Sequence, residues 1–138
     1  MLTKNNYSVF ITGTKEEGNL IKNELGNQIP NALDLTGELN LSELITFISK
    51  CDFLVAASTG PLHIAASLGI NAIGIYPPIK PMHPARWQPV GVNSNVLCIN
   101  KKCSLCRNSN ECNCIQEISP EQVYKAIVNK RMFSLSSF

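Results

Sequence analysis

The sequence has no long hydrophobic run. Its apolar stretches, such as Ala72 to Tyr76, fall far short of the ~20 residues that a bilayer-spanning helix requires. Met1-Leu2-Thr3-Lys4-Asn5-Asn6 does not lead into an apolar core, so no secretory leader is expected. Net charge is nearly absent, at +2 for pH 7, and there is a single Trp. With no basic, aromatic-studded strand, a nucleic-acid-binding domain is disfavoured. Disorder is excluded by what is present: 138 residues, 44% of them hydrophobic and 16% charged, are one domain's worth of ordinary globular chain. That length is small for an enzyme acting on two large substrates.

Charge is unevenly distributed. Residues 1–79 hold four Lys against seven Asp or Glu, and residues 80–138 hold eight Lys or Arg against three Glu, giving −3 and +5. The basic half suits phosphates or peripheral contact with an anionic membrane, and an unevenly solvated surface accounts for it equally well.

Short apolar runs alternate with helical patterns. Strands are predicted at Tyr7–Thr12, Ala32–Leu35, Asp52–Ala56, Ala72–Tyr76 and Asn95–Ile99, from β-branched and apolar residues bounded by turn residues. Helices are predicted at Lys15–Leu25, closed by Gly26; at Leu41–Lys50, capped by Asn40 with Glu43 three residues on; at Pro61–Leu68, closed by Gly69; and from Ser119-Pro120 to about Lys130. Continuous apolar strands between helices imply an α/β fold, a Rossmann-like parallel sheet with helices on both faces. Residues 1–133 are expected to form one such domain and 134–138 a flexible tail. Five prolines between Pro77 and Gly91 are expected to keep that stretch a long, stiff loop.

The strongest local chemical signal is strand, then Ser58-Thr59-Gly60-Pro61-Leu62-His63, then helix. Free N–H groups of a helix's first turn, at the positive end of its dipole, make an anion site. Gly60 lets a bulky anion approach, and Ser58 and Thr59 add hydroxyls. In open α/β sheets ligands lie at the carboxyl ends of the strands, where this loop falls. A plain capped strand–helix turn accounts for it about as well. His63 could reach the same anion and donate to a diphosphate leaving group, or be a half-buried histidine bonded to a backbone carbonyl.

Cysteines stand at 51, 98, 103, 106, 112 and 114, five of them within 17 residues. Without a secretory leader, disulfides are not the default. Cys103-x-x-Cys106 and Cys112-x-Cys114 supply four thiolates, enough for a closed structural zinc site. Disulfides, free thiols and an iron–sulfur cluster are the alternatives. Cys51, just before an apolar strand, reads as a buried small hydrophobe.

Asp34-Leu35-Thr36-Gly37, Leu41-Ser42-Glu43-Leu44 and Ser58-Thr59-Gly60-Pro61-Leu62-His63-Ile64-Ala65-Ala66-Ser67-Leu68-Gly69, in that order, resemble the C-terminal half of family 9 glycosyltransferases, the heptosyltransferases of lipopolysaccharide core assembly. The resemblance covers about residues 7–130. It implies the C-terminal domain of a GT-B enzyme, which binds a nucleotide-diphosphate sugar, typically ADP-heptose, for inverting hexosyl or heptosyl transfer in lipopolysaccharide or other cell-surface glycan synthesis. By resemblance, the loop Ser58 to His63 holds the diphosphate and Glu17 holds the ribose, with Glu16 as its alternative. A solvated acid at a helix start explains Glu17 as well. The catalytic base and the glycan or lipid-linked acceptor site belong to the family's N-terminal domain, so neither is expected here, and no nucleic acid partner is implied. No cofactor is required for catalysis, and the chain has no Asp-x-Asp to hold a divalent ion. The implied location is cytoplasmic, at the inner face of the bacterial inner membrane.

The sequence departs from the family at two places. Ser58 stands where the family usually has Asp, so a hydroxyl replaces a carboxylate. Pro77-Pro78-Ile79-Lys80-Pro81 replaces a Gly-Pro-Thr-Asp-Pro loop, turning an acid into a base. Lys80 and Arg86 could offer cations to a phosphate, and Trp87 could stack on a base or sugar; Arg86-Trp87 could equally be a loop anchor with the Trp packed on the domain. A non-catalytic nucleotide- or phosphate-binding module is the alternative function.

Overall fold

The computed structural model describes residues 1–26, 31–79, 83–103, 105–107 and 112–135. Parallel strands alternate with helices throughout, the α/β class that the hydrophobic pattern implies. The chain divides into two compact units, Met1–Thr46 and Phe47–Phe138.

The first unit contains β1 (Val9–Ile11), α1 (Lys15–Leu25), β2 (Ala32–Asp34) and most of α2 (Leu41–Ile48). β1 and β2 pair in parallel, with Phe10 opposite Leu33. Both helices start on reciprocal caps. The Glu17 carboxylate accepts from Thr14 N–H at 2.7 Å while the Glu17 N–H donates to the Thr14 hydroxyl at 3.2 Å. Asn40 and Glu43 repeat the device at 2.8 and 3.0 Å. Each cap satisfies two N–H groups that an uncapped helix start leaves open. α2 ends at Ile48, two residues short of the predicted end, and Lys50 and Cys51 N–H groups close its last turn onto Phe47 and Ile48 carbonyls.

The second unit is a three-stranded parallel sheet in the order β3 (Phe53–Ala57), β4 (Asn71–Tyr76), β5 (Ser94–Cys98). β4 is central, and its Ala72, Ile73 and Tyr76 are fully buried. α3 (Gly60–Ser67) packs on β3 and β4, and α5 (Pro120–Leu135) on β4 and β5. Leu62, Ala65 and Ala66 of α3 and Ala126 and Ile127 of α5 complete the core. Gly74 is required by this packing: a Cβ there would lie 2.5 Å from the Tyr76 ring and 2.8 Å from Leu62 Cδ2. α3 ends in a Schellman motif, with Gly69 at φ +77. Gly69 N–H donates to Ala66 O and Ile70 N–H to Ala65 O. Because all three strands are parallel, the segments after β3, β4 and β5 leave from one edge of this sheet.

Two predictions need correction. The stretch from Pro77 to Gly91 is not free of regular structure, since a short helical turn, α4, spans Pro84–Trp87. Pro84 sits at its first position, where the missing N–H costs nothing, and His83 Nδ1 accepts the Ala85 N–H at 3.1 Å. The last helix continues beyond Lys130 to Leu135. No helix among the described residues is long and apolar enough to cross a membrane.

Candidate functional site

The Ser58–His63 loop is built as its residues dictate. β3 ends at Ala57, and α3 begins at Gly60 with Pro61 in the first turn and Thr59 as an extended N-cap. Leu62 is the anchor. It is wholly buried, worth roughly 2 kcal/mol of apolar burial, and it fixes the first turn against β4. The Thr59 side chain makes no cap bond, and its hydroxyl turns back to Ala57 O at 3.3 Å.

The anion cradle is narrower than first-turn geometry in general would give. Thr59 N–H is taken by Ala57 O at 2.7 Å, Leu62 N–H by Thr59 O at 3.2 Å, and Pro61 has no N–H. Donors without a hydrogen-bond partner among the described residues include the Gly60 N–H, the Ser58 hydroxyl and the His63 imidazole. His63 is half-buried, and no backbone carbonyl among the described residues accepts from its ring. Beside Gly60 the space is open among the described residues, with none of them, chain neighbours aside, within 4 Å of where a Cβ would stand.

In the segment after β4, Lys80 lies outside the described residues. Arg86 stacks over the Trp87 ring, 5.7 Å from its centroid. Trp87 does not serve as a packed anchor, since the residue is 49% exposed. The backbone does the anchoring instead: buried Tyr76 donates its hydroxyl to Trp87 O at 2.6 Å. Nothing in the sequence signalled this bond, which joins residues 11 apart. An open depression of ≈ 360 Å³ lies at Gln88, Pro89, Gly91 and Ser94–Val96. It sits at the amino end of β5, away from the strand ends that carry ligands in such sheets.

In the first unit, Glu17 is exposed and one of its oxygens is committed to the α1 cap. Glu16 is exposed beside it. Asp34 closes the turn that follows β2. Its Oδ1 accepts from Thr36 N–H at 3.0 Å and from the Thr36 hydroxyl at 2.7 Å, and Lys22 lies 3.1 Å from Oδ2. These bonds, the Thr36 amide first, hold its pKa at about 2. The Asp-x-Thr spacing was the readable signal.

The structure brings Cys103, Cys106, Cys112 and Cys114 together, with their four sulfurs within 4.8 Å of one another. Cys112 Sγ is 2.8 Å from Cys106 Sγ and 3.8 Å from Cys103 Sγ. This group could hold a metal ion. The Cys106 backbone N–H, above all, brings the Cys103 thiol down to about 7. The neighbouring Cys112 sulfur pushes Cys106 up, and burial chiefly raises Cys114. All six cysteines are free. Cys51 is only half-buried rather than buried, with its Sγ donating to Phe47 O at 3.4 Å. Burial raises the thiols of both Cys51 and Cys98.

The fold has counterparts in known proteins. The chain superposes on E. coli ADP-heptose lps heptosyltransferase II with a TM-score of 0.76 at 21% identity, covering 96% of this chain and 39% of the other. It superposes on a glycosyl transferase family 9 structure from Veillonella parvula with a TM-score of 0.73 at 21% identity, covering 92% and 37%. In sequence it is 29% identical over 87 residues to lipooligosaccharide heptosyltransferase 2 of Haemophilus influenzae, covering 60% of this chain and 25% of the relative. It is 24% identical over 129 residues to lipooligosaccharide heptosyltransferase 2 of Campylobacter jejuni, covering 88% and 39%. The chain thus spans well under half the length of these relatives. The sequence pattern of Glycosyltransferase family 9 (heptosyltransferase) matches residues 1–115, from the first unit through the Ser58–His63 loop to the cysteine segment. The chain therefore belongs to glycosyltransferase family 9.

Proposed function

We propose that this chain is the donor-binding part of an inverting glycosyltransferase. Its donor would be a nucleotide-diphosphate sugar of the ADP-heptose kind, used in lipopolysaccharide or another cell-surface glycan at the inner face of the membrane. One observation carries the reading: the Ser58 hydroxyl, the Gly60 N–H and the His63 imidazole, without partners among the described residues, stand in the loop after β3 and the first turn of α3, at the carboxyl end of β3. Names of the matching relatives support the sugar class.

In this scheme the diphosphate lies against Gly60, where no side chain obstructs it, near the positive end of the α3 dipole. Ser58 donates to a phosphate oxygen. His63 donates to the oxygen that gains charge as the bond to the anomeric carbon breaks. Arg86, on the segment after β4 in the same unit, adds positive charge. The acceptor hydroxyl attacks in line, which inverts the anomeric centre.

The base that activates this hydroxyl, and the acceptor itself, we assign to polypeptide outside residues 1–138. Asp34 is poorly suited to be that base, because its carboxylate is committed to Thr36 and Lys22 and is acidic, at about 2. The hydroxyl of Ser58 at the family's acidic position favours a second reading, a nucleotide-binding module that does not itself transfer sugar.

Calorimetric titration of the full chain with ADP, UDP and GDP and their sugar conjugates tests both readings. ADP and an ADP-sugar should bind, and His63→Ala should weaken them about tenfold, or about 1.4 kcal/mol. Binding of bare nucleotides with no gain from any sugar supports the module reading. No binding by any nucleotide overturns both.

A further inference from the structure

We propose that Cys103, Cys106, Cys112 and Cys114 bind one zinc ion, and that this ion replaces a hydrophobic core in holding the segment between β5 and α5. The segment is long and needs such a device. From residue 99 to 119 its described residues form no strand or α-helix, only a 3₁₀ turn at Leu105–Arg107. Stretches of this length without regular structure are uncommon inside compact domains. Among the described residues of the stretch only Cys114 and Ile118 are buried. Two buried side chains give the described residues little apolar burial to offset the entropy of ordering them.

The sulfurs are placed for a metal rather than for pairing. A tetrahedral zinc with Zn–S of about 2.3 Å separates its sulfurs by about 3.8 Å. All four sulfurs here lie within 4.8 Å of one another; Cys103 and Cys112 are already 3.8 Å apart, and Cys106 and Cys112, at 2.8 Å, would open by about 1 Å to take the ion. Disulfides join sulfurs in twos, whereas Cys112 neighbours both Cys106 and Cys103. Backbone N–H groups also point at sulfur. Cys114 N–H donates to Cys112 Sγ at 3.5 Å, and Cys106 N–H points at Cys103 Sγ. Such bonds stabilise the thiolate charge that a metal-bound sulfur retains.

Charge at the rim agrees. Four thiolates and one Zn²⁺ leave a net −2. Lys101 lies close enough to interact with Cys114 and Cys103, and it pairs with Glu117, which closes the neck of the segment. An all-sulfur tetrahedral set selects a soft or borderline ion over calcium or magnesium. Binding needs no oxidant or reductant: each thiol releases its proton and gives its sulfur lone pair to the metal. The inference does not depend on the donor proposal, because the cysteines are not part of the Ser58–His63 loop.

The test starts from full-length chain purified under reducing conditions, dialysed, and analysed for metals. One zinc per chain is expected, retained by Cys51→Ser and Cys98→Ser and lost by Cys114→Ser. Replacing zinc with Co²⁺ in the unmutated chain should give thiolate-to-cobalt charge-transfer bands and tetrahedral d–d bands. Chelation should open residues 99–119 to proteolysis. An iron content in place of zinc, or a metal-free chain, overturns the proposal. So does an intact mass short by the hydrogens of one or two disulfides.

Discussion

The Ser58–His63 loop and the cysteine segment leave the same edge of one sheet, yet they are held in opposite ways. The first is held from beneath. Buried Leu62 and the Schellman end at Gly69 fix α3, so the groups offered to a ligand cost no ordering of their own. The second has few buried side chains among its described residues, and its four sulfurs converge instead. A site built on the core should survive changes to its exposed atoms, whereas a segment gathered around sulfur should fail with one atom.

The largest effect expected is therefore Cys114→Ser. Structural zinc sites supply on the order of 10 kcal/mol of ordering free energy, so hydrogen exchange should show protection of residues 112–118 lost while that of α3 is kept. Loss of α3 protection as well would break the contrast. Gly74→Val comes next. Its side chain would be driven into Tyr76 and Leu62, costing roughly 1–3 kcal/mol, read as a lower urea midpoint with the zinc content unchanged.

Gly60→Val should sharpen the contrast from the other side. The added side chain meets open space, so stability should move by no more than about 0.5 kcal/mol. Nucleotide affinity should fall about tenfold or more, measured by calorimetry.

The smallest effect belongs to Asp34, a turn held by one carboxylate. Folding lowers its pKa from 3.8 to about 2, so its contribution is fully present above 3.8 and is lost as pH falls through 2. Carboxyl shifts of Asp34 in an NMR titration should report that midpoint, and Thr36→Val should raise it toward 3.8.

Much of this arrangement was legible in the residues. Each strand lies within a residue or two of its apolar run, since short β-branched runs between turn residues admit few other structures. The Pro61-first, Gly69-last helix was legible for the same local reason. The four-cysteine set could be read from spacing alone. Long-range side-chain bonds could not. Tyr76 to Trp87 and Lys101 to Glu117 depend on where the sheet places distant residues. The narrowness of the anion cradle was also hidden, because which first-turn N–H groups are already taken is a matter of backbone bonds. At Pro84, proline was read only as a breaker, although with a histidine cap before it the same residue starts a helical turn.

The bond from Tyr76 to Trp87 also gives the molecule a built-in spectroscopic gauge. The chain has one Trp. Its carbonyl is pinned to the buried tyrosine while the residue stays half exposed, its ring beneath Arg86. All indole emission thus comes from a single point on the loop that follows β4. Any occupant that draws Arg86 away or covers the ring will change the colour and intensity of that emission, with no label added.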